Sequence, residues 1–221
     1  MKGKLFIVPT PIGNLGDMTY RGVETLKEAT LIAAEDTRRT SILLNNYQIR
    51  APLISYHEHN EKFRSQELVQ KLLNGEKIAL VSDAGMPGIS DPGFRLISLA
   101  IDNQIPITVL PGASAFLPAL IGSGLPFHEF VFLGFLPKKQ KALEDKLSLF
   151  KTLPFTILFY ESPKRLHKTL SQCQKILGDR RAVICRELSK IYEEFRRGTL
   201  TELLNNLPQN VKGEITVVIS A

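Results

Sequence analysis

Residues able to move protons or hold a charged ligand stand directly behind short apolar runs in this chain. Asp83 follows Ile78–Ser82, inside Val81-Ser-Asp-Ala-Gly-Met-Pro-Gly-Ile-Ser-Asp-Pro-Gly93. A carboxylate there suits an ammonium group or ribose hydroxyls, with Met86 and Pro87 laying a small apolar surface beside it. Glu35-Asp36 follow Leu31–Ala34 and lead into Arg38 and Arg39. That grouping reads either as ion pairs at a helix start, where acidic residues suit the dipole, or as a substrate-orienting edge. His57-Glu58-His59-Asn60 follow the next run. Two histidines two residues apart lack a third ligand, and His-Glu-x-x-His is absent, so the pattern points away from metal. It fits a polar pocket lip, a proton-handling role or a solvated loop.

A fourth segment, Val8-Pro-Thr-Pro-Ile-Gly-Asn-Leu-Gly-Asp17, follows the first apolar run. Prolines fix its backbone and glycines permit close approach, which makes a rigid bed for a ligand. Asp17 could bind a hydroxyl or a cation, but capping of the next helix by Asp17 or Thr19 is the simpler reading. Neither Gly/Pro segment is a Walker loop or Gly-x-Gly-x-x-Gly. In the second half, Tyr160 could stack on a base or an adenine ring. Lys164 and Arg165 fall in the first turn of a helix, against its dipole, and Arg186-Glu187 form a comparable strand exit.

The elements that must position these residues alternate. Strands are expected at Leu5–Val8, Leu31–Ala34, Leu53–Tyr56, Ile78–Ser82 and Ile107–Leu110, with helices at Tyr20–Ala29, Thr37–Asn46, Glu61–Asn74 and Phe94–Asn103. Near-continuous apolar strands separated by helices imply an α/β fold with a parallel sheet covered on both faces. A helix at Ala115–Ile121 precedes the turn-rich Gly122-Ser-Gly-Leu-Pro126, where a boundary between domains 1–121 and 122–221 is expected. Strands Phe130–Phe135, Thr156–Tyr160, Arg181–Arg186, Tyr192–Arg197 and Glu214–Ser220 follow, with helices at Gln140–Phe150, Pro163–Leu177 and Leu200–Asn205.

Composition narrows the function classes. The net charge is +6, and all of the excess lies in the second half: residues 1–110 carry 12 basic and 12 acidic groups, residues 111–221 carry 16 and 10. A basic half suits a polyanion such as nucleic acid, or is only a solvated face. No apolar run approaches a membrane span. Cys173 and Cys185 give no disulfide or metal framework, so a cytoplasmic setting is expected.

Six ordered segments together resemble one family: Pro9–Asp17, Glu35-Asp-Thr-Arg38, Ser55-Tyr-His-Glu-His-Asn60, Ser82–Gly93, Pro111-Gly-Ala-Ser114 and Tyr160-Glu-Ser-Pro-Lys-Arg165. It is the bacterial ribosomal RNA small subunit methyltransferase I family of the tetrapyrrole-methylase superfamily. The resemblance implies two α/β domains, the first with a mainly parallel five-stranded sheet and the second with a mixed one. It implies S-adenosylmethionine as cofactor, 2′-O-methylation of a decoding-centre cytidine in 16S ribosomal RNA on the 30S subunit, and a homodimer. Carried over by residue, Pro11, Asp83, Met86, Ser114, Ala115, Tyr160, Arg186, Gly213 and Glu214 would line the cofactor. Methylating a weakly nucleophilic hydroxyl calls for a base, and Glu35, Asp36, His57, Glu58 and Glu161 are the candidates. Arg38, Arg39, Lys164 and Arg165 would contact RNA. The first loop departs from the superfamily's Gly-x-Gly-x-Gly-Asp, which counts against a porphyrin or corrin substrate. A small-molecule methylase and a non-catalytic RNA-binding assembly factor are the competing readings.

Overall fold

A computed structural model describes residues 2–208 and 210–221. The chain forms two compact units, one ending at Ser114 and the other starting at Ala115. This division precedes the Gly122–Pro126 stretch favoured from composition. The helix before that stretch packs on strands of the second unit and so belongs with it.

The first unit holds strands β1 (Lys4–Ile7), β2 (Leu31–Ala34), β3 (Leu53–Ser55), β4 (Lys77–Val81) and β5 (Ile107–Val109). Between them run helices α1 (Tyr20–Glu28), α2 (Thr37–Asn46), α3 (Glu61–Leu73) and α4 (Phe94–Asp102). The strands pair in the order β3-β2-β4-β1-β5, all parallel. Successive strand side chains face opposite ways, which sorts the apolar residues into two cores. Leu5, Ile7, Leu31, Ile78 and Leu80 pack with Leu68, Leu72 and Leu96 of α3 and α4. Phe6, Val8, Ile32, Ala79 and Val81 pack with Leu26 and Leu44 of α1 and α2. Burying each such large side chain contributes roughly 1.5–3 kcal/mol. With both faces covered, β2 is buried at every position and its sequence, Leu-Ile-Ala-Ala, shows no alternation.

This sorting also locates the site. After β1 and β2 the chain turns to one face of the sheet, and after β3 and β4 it turns to the other. Adjacent strands therefore lead their helices to opposite sides, which opens a crevice at their carboxyl ends.

The second unit contains α5 (Phe116–Ser123), β6 (Phe130–Phe135), α6 (Gln140–Ser148), β7 (Thr156–Glu161) and α7 (Pro163–Leu177). It continues with β8 (Arg181–Arg186), β9 (Glu194–Thr199), α8 (Leu200–Asn205) and β10 (Ile215–Ile219). Its sheet runs β6-β7-β10-β8-β9; only β6 and β7 are parallel. Helices α6, α7 and α8 cover one face through Leu143, Leu166, Leu170 and Leu203, and α5 packs against the strands as well. Cys173 and Cys185 are free and buried. Burial pushes both thiols up to about 12, which leaves them unreactive. Among the described residues no helix is long and apolar enough to cross a membrane.

Candidate active site

The first-unit crevice is built by bonds between strand ends. Thr10, beyond β1, and Gly85, beyond β4, exchange backbone hydrogen bonds of 3.0 and 2.8 Å. The Thr10 hydroxyl donates to the Ser82 carbonyl at 2.9 Å, and the Ser82 hydroxyl to the Gly85 carbonyl at 3.2 Å. Gly85 has φ +91°, a backbone state that disfavours any side chain. Ala113 and Ser114, beyond β5, lie against it; a Cβ added at Gly85 would sit 3.9 Å from Ser114 Cα. Pro11 is half-buried next to this junction, and Met86 packs partly into the core beneath it. The Ser114 hydroxyl is buried and has no hydrogen-bond partner among the described residues. Asp17 sits in a single 3₁₀ turn, Leu15–Asp17, and does not cap α1; the Thr19 hydroxyl does, accepting from Gly22 N at 3.0 Å.

Beside this junction lies a group of carboxylates. Asp83 Oδ1 accepts from the Asp36 backbone N–H at 3.0 Å, and the Asp83 N–H donates to Glu35 Oε2 at 3.3 Å. Arg39 reaches Asp83 Oδ2 at 3.2 Å. Glu35 is half-buried, and its carboxyl is raised above the ordinary value. Burial is the chief cause and the Asp83 charge adds to it, opposed by the Asp83 N–H, Arg39 and His57. Glu35 is thus the stronger proton acceptor of the pair Glu35-Asp36. Asp36 is held down at about 2 by hydrogen bonds from the Arg38 guanidinium and backbone. It also caps α2, so its role at this edge is structural.

His57 stands beyond β3. Asn60 Oδ1 accepts from His57 N at 2.9 Å, while Asn60 Nδ2 lies 3.2 Å from the Ser55 carbonyl, the Ser55 hydroxyl and His57 Nε2. His57 Nδ1 is buried without a partner among the described residues. Glu58 and His59 are exposed. Among the described residues no cluster of three or more His, Cys, Asp or Glu could hold a metal ion.

The second unit places its candidates differently. Glu161, at the end of β7, is 2 % exposed. It accepts from Ser162 N at 2.7 Å and the Thr169 hydroxyl at 2.6 Å, and pairs with Arg165 at 3.4 Å. A carboxylate so enclosed is structural and is not open to a substrate hydroxyl. Arg165 also donates to the Leu136 and Pro137 carbonyls, so it is turned inward and only Lys164 of that pair is exposed. The unfavourable placement of Arg165 in the first turn of α7 is therefore offset by Glu161. Tyr160 is half-buried, edge-on to Phe132 and Phe135 at 4.9 and 5.6 Å. Arg186 is bound to Glu194 at 3.0 Å. Glu214 pairs with Lys190 at 3.1 Å and donates its N–H to Glu187 at 2.8 Å. Gly213, at φ +93°, leaves no room for a Cβ, which would lie 2.6 Å from the Glu187 side chain. Ala115 is the N-cap residue of α5.

Residues 4–204 match the model of the Tetrapyrrole (Corrin/Porphyrin) Methylases. Relatives named ribosomal RNA small subunit methyltransferase I are 51% identical in Halalkalibacterium halodurans, 47% in Bacillus subtilis and 46% in Micromonospora olivasterospora. The matches cover 99%, 98% and 99% of this chain and 76%, 75% and 70% of those proteins. The chain belongs to the ribosomal RNA small subunit methyltransferase I family. Two solved structures share the fold at low identity. The methyltransferase CobJ has a TM-score of 0.75 at 19% identity, covering 99% of this chain and 94% of its own. Uroporphyrin III C-methyl transferase from Thermus thermophilus has 0.68 at 16%, covering 98% and 97%.

In this ribosomal RNA small subunit methyltransferase I family member, three residues to which the sequence assigned no individual role shape the loops. Thr10 ties two loops together, Asn60 fixes His57, and Glu187 anchors the start of β10. An Asn directly before a helix normally reads as its cap, whereas Asn60 spends its amide on Ser55 and His57. Glu187 lies at φ +52°, a state that no local pattern announces.

Proposed function

We propose that the protein transfers a methyl group from S-adenosylmethionine to the ribose 2′-hydroxyl of a decoding-centre cytidine in 16S ribosomal RNA, as a homodimer. The observation that carries this reading is the 46–51% identity, over 98–99% of the chain, to relatives named for ribosomal RNA methylation. Geometry supports it. The buried, unpartnered Ser114 hydroxyl beside the Gly85 turn is a polar group prepared for a ligand. Asp83 suits the cofactor's ammonium or ribose hydroxyls, and Met86 and Pro11 supply apolar walls, so the first-unit crevice fits this cofactor. When bound, S-adenosylmethionine supplies an electrophilic methyl group on a sulfonium.

The chain's own residues do the rest. Glu35 Oε2 is engaged by the Asp83 N–H, which leaves Oε1 to accept the ribose hydroxyl proton. Arg39 balances Asp83 and keeps two adjacent carboxylates compatible. Arg38, exposed at the same edge, and Lys164 with the basic second half hold RNA phosphates. The test is transfer of tritiated methyl from the cofactor onto 30S subunits lacking the modification, followed by nuclease mapping. Label on the ribose of one decoding-centre cytidine is expected. Label on a base, or none, refutes the reading.

A further inference from the structure

The Asn60 side chain can be oriented without ambiguity. A backbone N–H only donates, so the amide atom 2.9 Å from His57 N is the oxygen. A carbonyl only accepts, so the atom 3.2 Å from the Ser55 carbonyl is the amide nitrogen. That same nitrogen lies 3.2 Å from His57 Nε2. Two N–H groups cannot face each other in a hydrogen bond, so we assign Nε2 the lone pair. In the neutral ring the proton is then on Nδ1. This Nδ1 is buried and has no partner among the described residues, although buried donors are paired almost everywhere in folded proteins.

The unpaired donor is well placed. His57 follows β3 and Glu35 follows β2, adjacent parallel strands in which Ala34 pairs with Ser55 and Tyr56 N donates to the Ala34 carbonyl. We propose that His57 donates its Nδ1–H to the ribose oxygen being methylated and is not a base, with Asn60 as the positioning residue that fixes its tautomer. The proposal rests on the ribose-methylation reading above. A hydroxyl oxygen that accepts from His57 keeps its own hydrogen free to pass to Glu35. The two side chains thereby orient the nucleophile from both sides, one donating and one accepting.

Three position-57 variants separate donor from base. The side-chain amide of Asn places an N–H where Nδ1 stands, whereas that of Gln places one where Nε2 stands. With 30S subunits as substrate, H57A should raise KM about tenfold, the value of one lost hydrogen bond to a substrate. H57N should recover most of that loss, and H57Q should not. Cofactor affinity, measured by calorimetry, confirms that each variant is folded. Nitrogen-15 spectra of imidazole-labelled free protein should show His57 protonated at Nδ1, and N60D should bring a proton onto Nε2. H57N as impaired as H57A, or a wild-type spectrum with the proton on Nε2, overturns the proposal. The spectrum needs no substrate, so it can fail while the methylation reading stands; unlabelled 30S subunits would sink both.

Discussion

Replacing Glu161 separates a structural carboxylate from a catalytic one. In E161A the Thr169 hydroxyl and the Ser162 N–H lose their acceptor, and Arg165 loses its counter-charge while keeping the Leu136 and Pro137 carbonyls. Hydrogen bonds to a charged group contribute about 1.5–3 kcal/mol each, and they are not additive within one network. Breaking a buried ion pair from one side costs about 3–5 kcal/mol. A loss of about 4 kcal/mol is expected, a large part of a typical domain's stability. For a chain of this size that lowers Tm by roughly 8–16 °C. E161Q is milder. Its amide oxygen can still accept from Ser162 N, and its amide nitrogen can donate to a Thr169 hydroxyl turned to accept; only the Arg165 link is lost, at about 1–2 kcal/mol. The chain has five tyrosines and no tryptophan, so urea unfolding is followed by circular dichroism and tyrosine emission. Methyl transfer by E161Q at 20–25 °C should stay within about threefold of wild type, because general-base loss typically costs 10²–10⁴-fold. A stable E161Q with kcat reduced a hundredfold would refute the structural assignment.

Further expectations concern the first-unit edge and the basic surface. E35Q should lower kcat by about 10²–10⁴-fold with cofactor affinity unchanged; retained turnover would remove Glu35 as the base. Because the folded carboxyl of Glu35 is raised above its ordinary value of 4.5, it favours folding below that pH and loses this contribution as pH rises through its folded value. E35Q should therefore be more stable than wild type at neutral pH, with the difference vanishing below about pH 4.5 in thermal melts. D83A, which removes the acceptor of Asp36 N and the partner of Arg39, should weaken cofactor binding at least tenfold by calorimetry; unchanged affinity contradicts the assignment. K164A should reduce the salt slope of RNA binding by about one unit without changing Tm, whereas R165A should lower Tm; an unaltered slope in K164A removes Lys164 from the interface.

Much of the fold was legible because local chemistry and burial agree. Leu31–Ala34, Thr37–Asn46, Pro163–Leu177 and Leu200–Asn205 take the bounds that their apolar pattern and end residues indicate. Ser162-Pro163 and Gly178 mark the ends of α7 by backbone preference alone. Legibility fell where the partner lies far along the chain. Asp17 and Thr19 are equal as caps on paper, and only the 3₁₀ turn decides for Thr19. Helix α5 looked like the end of the first unit because a flexible stretch follows it, yet it packs on the second sheet. The candidate bases could not be ranked from sequence, since their acidity depends on burial and on neighbours dozens of residues away.

The sequence by itself determined the alternation of strands and helices, the polar residues at strand exits, the basic second half and the family, because these follow from residue type and short-range order. Tertiary structure alone decided which polar residues are available. It enclosed Glu161 and Arg165 in one network, tied Asp36 to Arg38, left Glu35 half-buried beside Asp83, and turned the Asn60 amide onto Ser55 and His57. The physical reason is that a side chain's charge state and free valences depend on what is packed within a few ångströms, and the chain brings those neighbours together only by folding.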